Sequence, residues 1–422
     1  MSDAVARVLD AVEALRTPMV EELTDAVRIP SLGGTDAENE AQAWMAGRMA
    51  ATGLDVDHWS IDLADITSRA DFPGMEVDRR EAWGVVGRLP GSGDGATLML
   101  NGHIDVVPTG DPDAWFDPPY AAAVRDGRLF GRGACDMKAG LVASHFAVQA
   151  IRASGVRLRG DLVLASVLGE EDGGLGTYAT IQRGWRADAC VIAEPTEMDI
   201  IPANSGALTF RLRVRGAATH AARRLDGVSA IEKFLPVWHA IGELERRRHS
   251  QPDPLTARWP LAHPISIGTV QSGDWPSSVP DLLVAEGRMG VAIGEPVETA
   301  RAALEEAVAD ACATDPWLRE HPVELEWWGG QFASGRLSGD SDLIPRVQAA
   351  HQVAGGAAHD VYAAPYGSDL RLLTGLAGIP TLQYGPGDAM LAHGPAESVP
   401  LDDVFTTART LALLALDICG VA

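Results

Sequence analysis

The chain has 422 residues, 46% of them hydrophobic, and a formal net charge of −24. This length supports a large buried core and favours two domains over one. The negative charge disfavours nucleic acid and anionic membrane surfaces as partners, because both require clustered lysine and arginine. No long apolar run predicts a membrane span, and acidic residues interrupt the N-terminal stretch where a signal peptide would need apolar ones.

Apolar residues recur at helical spacing between residues 4 and 54, where Pro30 and Gly53 close two successive patterns. Residues 61–82 look like an irregular insertion that could shape the entrance to a site. From about 82 to 200, apolar strand-like runs alternate with helical stretches such as 139–155. This alternation is typical of βαβ units, so we predict a doubly wound α/β domain with a mostly parallel sheet.

The pattern changes near residue 206. A strand, a helix, two strands and a further helix follow one another, which predicts an α+β two-layer sandwich over residues 206–322. Candidate metal ligands lie on both sides of this stretch. We therefore predict that it is a lid or dimerisation domain inserted into a discontinuous catalytic domain, formed by residues 1–205 and 323–422.

Cysteine is scarce in this chain. Its four cysteines, at positions 135, 190, 312 and 419, include no CxxC pair. This number argues against a disulfide framework and against a cysteine-rich structural zinc site. A reducing compartment suits such a protein, and we predict a cytoplasmic location.

Metal-compatible side chains recur at the ends of apolar runs and in glycine-containing loops. The residues in this set are His103, Asp105, Asp136, Glu170, Glu171, Glu194 and His393. Open α/β sheets place their chemistry at the carboxyl ends of strands, so we expect these side chains to converge. Carboxylate and imidazole ligands in such a position predict a hydrolytic zinc site.

Each residue also has a simpler interpretation when it is taken alone. His103 could only hydrogen-bond locally, Asp136 could be a turn residue, and Glu170 and Glu171 could lie on a solvated turn. His103 and Asp105 share one face of an extended chain, so the Asp105 carboxylate could fix the imidazole tautomer. Adjacent glutamates diverge in direction, so one can bind a metal while the other acts as a general base.

Five segments occur in the order GHIDVVP, GRGACDMKAG, GEEDGG, AEPT and AHGP, with the predicted sandwich after AEPT. Together they resemble the co-catalytic zinc amidohydrolase and peptidase family. That family includes acetylornithine deacetylase, succinyl-diaminopimelate desuccinylase, the aminoacylases and the glutamate carboxypeptidases. The similarity extends from about residue 10 to the end of the chain.

The resemblance implies two Zn²⁺ per subunit, with Co²⁺ or Mn²⁺ as alternatives that the same ligand types accept. Asp136 would bridge the two ions. His103 and Glu194 would complete the protein ligands of one ion, and Glu171 and His393 those of the other. The peptide bond after Asp136 is expected to be cis.

Catalytic roles follow from the same resemblance. Glu170 would be the general base and then the general acid, Asp105 would support the first histidine ligand, and a metal-bridging hydroxide would attack the amide carbonyl. His220 matches a histidine that stabilises the oxyanion in the partner's site of dimeric relatives, which implies a homodimer with His220 acting in trans. A structural role for His220 at a strand-to-helix turn is the alternative.

Three residues are candidates for binding a substrate carboxylate. Arg288 corresponds to an arginine with that role in relatives, although a strand arginine can equally be an exposed cross-strand partner. Ser368 stands where relatives carry a threonine or serine that lines the same pocket. Arg371 is a second cationic candidate.

We therefore predict a metal-dependent hydrolase of linear amides, which deacylates an N-acyl amino acid or a similar small molecule. A dipeptidase or carboxypeptidase is the alternative, because the motifs indicate amide chemistry and not the groups that flank the amide. A non-catalytic metal-binding dimer ranks lower, because such a module has no use for a general base like Glu170.

Overall fold

A computed structural model of the chain describes residues 2–249 and 253–422. The chain divides into two compact units. The first contains the chain up to Ala203 together with Arg336–Tyr362 and Asp369–Ala422, and the second contains Asn204–Gly335 and Ala363–Ser368.

The first unit begins with three helices and then forms most of a large sheet. Its helices up to residue 203 are α1 (Ser2–Ala14), α2 (Arg16–Arg28), α3 (Asp36–Ala51), α4 (Leu63–Thr67), α5 (Ala139–Ala153) and α6 (Leu175–Gln182). Its strands are β1 (Asp55–Ser60), β2 (Trp83–Leu89), β3 (Leu98–His103), β4 (Ala123–Arg125), β5 (Arg128–Phe130), β6 (Leu162–Val167), β7 (Ala189–Ile192) and β8 (Ile200–Asn204).

The second unit is a small antiparallel sheet with helices. It contains β9 (Gly206–Arg215), α7 (Ala230–Arg248), β10 (Ile265–Ser272), β11 (Leu282–Val291), α8 (Val297–Thr314), α9 (Pro316–Glu320) and β12 (Glu324–Phe332). The strand order is β10-β11-β9-β12. Side chains of β9 and β11 form one core with side chains of α7 and α8. This is the predicted α+β two-layer sandwich.

The boundary of the second unit differs from the one expected at residue 322. β12 lies beyond that position, yet it pairs with β9 along the small sheet. Its Leu325 and Trp327 side chains pack against the core of this unit, which explains the pairing. The unit therefore extends to Gly335.

After Gly335 the chain returns to the first unit, apart from Ala363–Ser368, which belong to the second. The elements are β13 (Gly335–Arg336), α10 (Leu343–Val353), β14 (Val361–Ala364), α11 (Leu370–Gly375), β15 (Thr381–Gln383), β16 (Ser398–Pro400) and α12 (Leu401–Ile418). In the described residues the large sheet runs β1-β2-β6-β3-β7-β15-β8-β13, with β14 also paired to β8, and β16-β5-β4 form a separate small sheet.

The centre of the large sheet is parallel and fully covered. β3 pairs in parallel with β6 and β7, and β15 with β7. Every residue of β3 and β6 is buried, as expected for parallel strands with helices on both faces. The predicted α/β class is therefore confirmed. Across the described ranges, no helix is long and apolar enough to cross a membrane.

Candidate metal centre

His103 is the last residue of β3 and is almost completely buried. Its Nδ1 lies 3.0 Å from the backbone carbonyl oxygen of Asp105 and 3.6 Å from the Asp105 carboxylate. The hydrogen bond from His103 is thus accepted by the backbone carbonyl of Asp105, and not by its carboxylate as expected. A donated Nδ1–H leaves the Nε2 lone pair free to bind a metal.

The Asp105 carboxylate has a different role. Its two oxygens accept the backbone N–H groups of Glu170, at 3.3 Å, and Glu171, at 3.2 Å. The chain reaches this position through a turn at Gly169, where φ is +66°. Asp105 therefore fixes the backbone of the two adjacent glutamates that follow β6.

Asp136 stands between the two candidate histidines. It lies in the turn Ala134–Lys138, directly before α5, and the Asp136–Met137 peptide bond is cis as expected. One carboxylate oxygen, Oδ1, lies 3.1 Å from Nε2 of His103. The other, Oδ2, lies 3.3 Å from Nε2 of His393. A carboxylate with one oxygen toward each histidine has the arrangement that a bridging ligand requires.

The remaining carboxylates divide between the two histidines. Glu194, which follows β7, has Oε2 at 4.0 Å from Nε2 of His103. Glu171 has Oε2 at 3.2 Å from Nε2 of His393. The side chains of this cluster form two groups in which the potential donor atoms all lie within 4.8 Å of one another. One group is His103, Asp136 and Glu171, and the other is His103, Glu170 and Glu194.

The donor set fits divalent metal ions. Imidazole nitrogen and carboxylate oxygen are ligands that Zn²⁺, Co²⁺ and Mn²⁺ accept. The two histidines face different oxygens of Asp136, so each of two ions would have one histidine. All five side chains come from the first unit. The residues present could therefore hold a pair of ions with Asp136 shared between them.

Electrostatics also favour cations at this position. Burial, followed by nearby carboxylates, raises the pKa of Glu194 well above its usual range. Burial acts in the same direction on Asp136, but hydrogen bonds from the two histidines prevail and lower its pKa. Hydrogen bonds to Asp136 and Glu171 raise the pKa of His393 to about 10. So many buried carboxylates attract positive charge strongly, whether as protons or as metal ions.

Glu170 is 7% exposed and lies beside this cluster. Burial, then the carboxylates of Asp369 and Glu194, raises the pKa of Glu170 well above its usual range. A carboxyl group whose pKa is raised by burial takes up a proton more readily than a surface glutamate, as a group that both accepts and returns a proton must. The sequence prediction of a general base at Glu170 is consistent with this environment.

The sequence analysis missed Glu397, which lies four residues after His393. One of its oxygens accepts the N–H groups of Cys135, at 3.1 Å, and Asp136, at 3.2 Å. The other oxygen pairs with Arg132, and both side chains are buried. Glu397 thereby joins the loop of Asp136 to the loop of His393. A carboxylate near a candidate ligand was visible in the sequence, but nothing there indicated its partners.

Two predicted substrate residues are buried and bonded within the chain. Arg371 is 5% exposed, and its Nη2 donates to the carbonyl of Gly173 at 2.7 Å. Ser368 is 1% exposed, and its hydroxyl lies 3.4 Å from Oδ1 of Asn204. Their proposed contact with a substrate carboxylate stays a prediction.

His220 and Arg288 belong to the second unit. His220 is exposed, and its Nδ1 accepts the N–H of Ala222 at 3.1 Å. Because Nδ1 is an acceptor, the neutral ring carries its proton on Nε2 and offers an N–H donor there. Arg288 is exposed on β11, opposite Thr209 of β9. The roles predicted for both residues stay predictions.

The chain is similar to known proteins over most of its length. The model of the peptidase family M20/M25/M40 matches residues 99–417. An N-formyl-4-amino-5-aminomethyl-2-methylpyrimidine deformylase of Bacillus subtilis is 28% identical over 407 residues, which cover 90% of this chain and 89% of the relative. The deformylase of the same name from Halalkalibacterium halodurans is 30% identical over 346 residues, covering 76% of this chain and 79% of the relative.

Solved structures share the fold at low sequence identity. The dipeptidase Dug1p of Saccharomyces cerevisiae superposes with a TM-score of 0.77 at 15% identity, and the match covers 98% of both chains. Such a match supports the α/β class with its additional smaller unit. It carries no information about the substrate of this chain.

Proposed function

Because this chain belongs to the peptidase family M20/M25/M40 and is a metal-dependent amide hydrolase, we propose that it is a dizinc deacylase of a small N-acyl compound. The observation that carries the proposal is the position of Asp136. Its two carboxylate oxygens face His103 and His393 separately, as a ligand shared by two ions would. We place the enzyme in the cytoplasm, in keeping with its four unpaired, buried cysteines.

The metal ligands would be the five residues already described. His103 and Glu194 would hold one ion, Glu171 and His393 would hold the other, and Asp136 would be shared between them. Bound divalent ions supply Lewis-acid polarisation of an amide carbonyl and of water. Co²⁺ or Mn²⁺ could replace Zn²⁺, since the same nitrogen and oxygen ligands accept all three.

Glu170 moves the protons in this proposal. As a carboxylate it accepts a proton from the attacking water, and as a carboxylic acid it returns that proton to the leaving amine nitrogen. Burial raises its pKa well above the usual range, which favours the protonated form that returns the proton. Asp105 positions the group, because it holds the backbone N–H of Glu170. The amide C–N bond breaks, and the products are a carboxylic acid and an amine.

His220 stabilises the developing oxyanion in this proposal, through its Nε2–H. A neutral donor aimed at an oxyanion contributes about 3 kcal/mol to lowering the barrier in comparable enzymes. By resemblance, the donor belongs to the partner subunit of a homodimer. The second unit offers a surface for such a partner, since Ile231, Leu235 and Trp238 are exposed at successive turns of α7.

The substrate we propose is a small N-acyl amine. The two relatives are named as deformylases of an N-formyl aminomethylpyrimidine, which makes that compound the first to test. N-acyl amino acids remain in the proposed class.

Substrate choice can be tested with a matched set of compounds. Zinc-reconstituted protein is assayed with N-formyl-4-amino-5-aminomethyl-2-methylpyrimidine, an N-acetyl amino acid, and a dipeptide with the same C-terminal residue, each with a chelated control. Chelator-sensitive cleavage of either N-acyl compound in preference to the dipeptide supports a deacylase. Preference for the dipeptide assigns the chain to the peptidase alternative, and inactivity on all three contradicts the proposed substrate class.

The proton-transfer role is tested by Glu170→Gln, with exposed Glu81→Gln as the matched control. We expect a loss of at least about 10²-fold in kcat for Glu170→Gln, with metal content unchanged, because a general base contributes this much or more. Glu81→Gln should retain full activity. Loss of metal from the Glu170 variant would show that this residue is a ligand and not the base.

The trans role of His220 is tested by mixing two inactive variants, His220→Ala and Glu170→Gln, under conditions that exchange subunits. A hybrid dimer then contains one site with both wild-type residues. Activity should recover to about a quarter of the wild-type value, because half of the dimers are hybrids with one competent site each. No recovery in a mixture shown to contain hybrids would place His220 in the site of its own subunit.

A further inference from the structure

The irregular segment between α4 and β2 carries a buried arginine, Arg79, that the proposed function leaves unexplained. Its side chain is 0% exposed, and its two carboxylate partners are almost as fully buried, with Glu38 at 1% and Asp172 at 8% exposure. Burying an unpaired guanidinium costs free energy, so we expect a buried arginine to have partners for its charge.

All five N–H donors of Arg79 have acceptors. Nε and Nη2 donate to the two oxygens of Glu38 at 3.0 and 2.8 Å. Nη1 and Nη2 donate to the two oxygens of Asp172 at 2.8 and 2.9 Å. The fifth N–H, on Nη1, lies 3.3 Å from the carbonyl of Val77. Only a planar guanidinium can hold two carboxylates in this bidentate manner, and lysine cannot.

The two carboxylates belong to different parts of the first unit. Glu38 is in the first turn of α3, where it also accepts the N–H of Gly34 at 2.9 Å. Asp172 directly follows the candidate base and ligand, Glu170 and Glu171. It also accepts the N–H groups of residues 76 and 77, at 3.2 and 3.0 Å, so it ties the irregular segment to this loop twice.

The loop is shaped to admit the arginine. At Gly169, a side-chain Cβ would lie 3.0 Å from Nη2 of Arg79, and the local φ of +66° is one that glycine adopts without strain. Asp105 holds the backbone N–H groups of the next two residues. The loop from 169 to 172 is therefore fixed by its backbone at Asp105 and by its Asp172 side chain at Arg79.

We infer that Arg79 is a positioning residue, which sets Glu170 and Glu171 in their working places by anchoring Asp172 to Glu38. This inference rests on the proposed function for the roles of those two glutamates. It also explains the irregular segment between α4 and β2, because this segment contains the arginine that joins the loop from 169 to 172 to α3. Without the guanidinium, two buried carboxylates would face each other without a counter-charge. Their repulsion would move the loop.

The test compares Arg79→Lys with Arg80→Lys, since Arg80 is the exposed neighbour in the same segment. Circular dichroism and a denaturant midpoint establish folding. Zn²⁺ affinity is measured by competition with a chromophoric chelator, and kcat and KM are measured on the best substrate found. Asp172→Asn serves as a second variant if Arg79→Lys does not fold.

We expect Arg79→Lys to weaken Zn²⁺ binding by about 10- to 100-fold, as loss of outer support for ligands does elsewhere. We expect kcat to fall by at least about tenfold with KM within about twofold of wild type, since positioning of a base acts on the transition state. Arg80→Lys should match the wild type in both measurements.

Two results would overturn the inference. One is wild-type Zn²⁺ affinity in a folded Arg79→Lys protein, whatever its kcat. The other is a raised KM with unchanged kcat, which would make Arg79 a substrate contact. The Zn²⁺ measurement needs no substrate, so it decides the inference about Arg79 even if the chain cleaves none of the tested amides and the proposed function fails.

Discussion

Gly140 lies in the first turn of α5, four residues after Asp136, and allows that helix to touch the strand end that carries Glu194. A methyl group built on Gly140 would overlap the carbonyl oxygen of Ala193 and would lie 2.8 Å from both the carbonyl carbon and the Cβ of Ala193. Gly140→Ala therefore forces α5 and the end of β7 apart. Gly47, inside α3, is the matched control, because a Cβ there has no neighbour within 4 Å.

The magnitude follows from two opposing effects. Overpacking against a rigid backbone costs about 1–3 kcal/mol or more, whereas replacing a helical glycine by alanine gains about 0.5–1 kcal/mol. We expect Gly140→Ala to lower the free energy of unfolding by about 2 kcal/mol and Gly47→Ala to raise it by about 0.5 kcal/mol. Because the displaced elements adjoin Asp136 and Glu194, which we propose to bind the same ion, Zn²⁺ affinity should fall only in Gly140→Ala.

Urea unfolding of the metal-free proteins gives the first quantity, and Zn²⁺ competition with a chromophoric chelator gives the second. Equal unfolding free energies for the two variants would mean that the contact between Gly140 and Ala193 is not rigid. Normal Zn²⁺ affinity in a destabilised Gly140→Ala protein would show that the packing of α5 against the end of β7 does not affect Zn²⁺ binding. This result would refute the reasoning.

Three further predictions concern the metal site and the core. Glu397→Gln should lower the free energy of unfolding by about 3 kcal/mol in urea titrations, because buried Arg132 loses its counter-charge, and a double variant with Arg132→Met should recover part of the loss. Chelation should lower the melting temperature in scanning calorimetry, since ions at roughly a thousandfold excess over Kd stabilise by about 4 kcal/mol; equal melting curves would contradict a tight site. Burial lowers the pKa of His351, whose Nδ1 faces the Tyr384 hydroxyl at 2.7 Å, so the stability contributed by its neutral form is present above its ordinary pKa and is lost as the pH falls. The difference in unfolding free energy between the protein and His351→Gln should therefore shrink from about pH 7 to about pH 5, and a constant difference would contradict this.

The sequence predicted the parts of the site that lie at strand ends. His103 ends β3, and the 170–171 pair follows β6. Parallel neighbouring strands bring their carboxyl ends to one edge, so periodicity alone implied that these residues meet. The division of ligands between two ions came from the resemblance. The structure adds the separate orientation of the two Asp136 oxygens, which no linear pattern encodes.

The supporting contacts could not be predicted, because they join residues far apart in the chain. Arg79 and Asp172 are separated by 93 positions, and Arg132 and Glu397 by 265. A charged residue in a loop looks like a solvated one until the fold buries it. Even at close range, the Asp105 carboxylate does not make the contact with His103 that was expected of it. The backbone carbonyl of Asp105 makes that contact, and the carboxylate accepts two N–H groups of the loop after β6.

These supporting contacts follow one physical rule. A guanidinium paired directly with a ligand carboxylate would compete with the metal for it. Arg132 instead acts through Glu397, which holds the backbone of Asp136, and Arg79 acts through Asp172, next to Glu171. In both cases the positive charge is separated by one carboxylate from the proposed ligand. Neither Arg79 nor Arg132 pairs with a proposed ligand carboxylate in the described residues, while both arginines offset the repulsion among buried carboxylates.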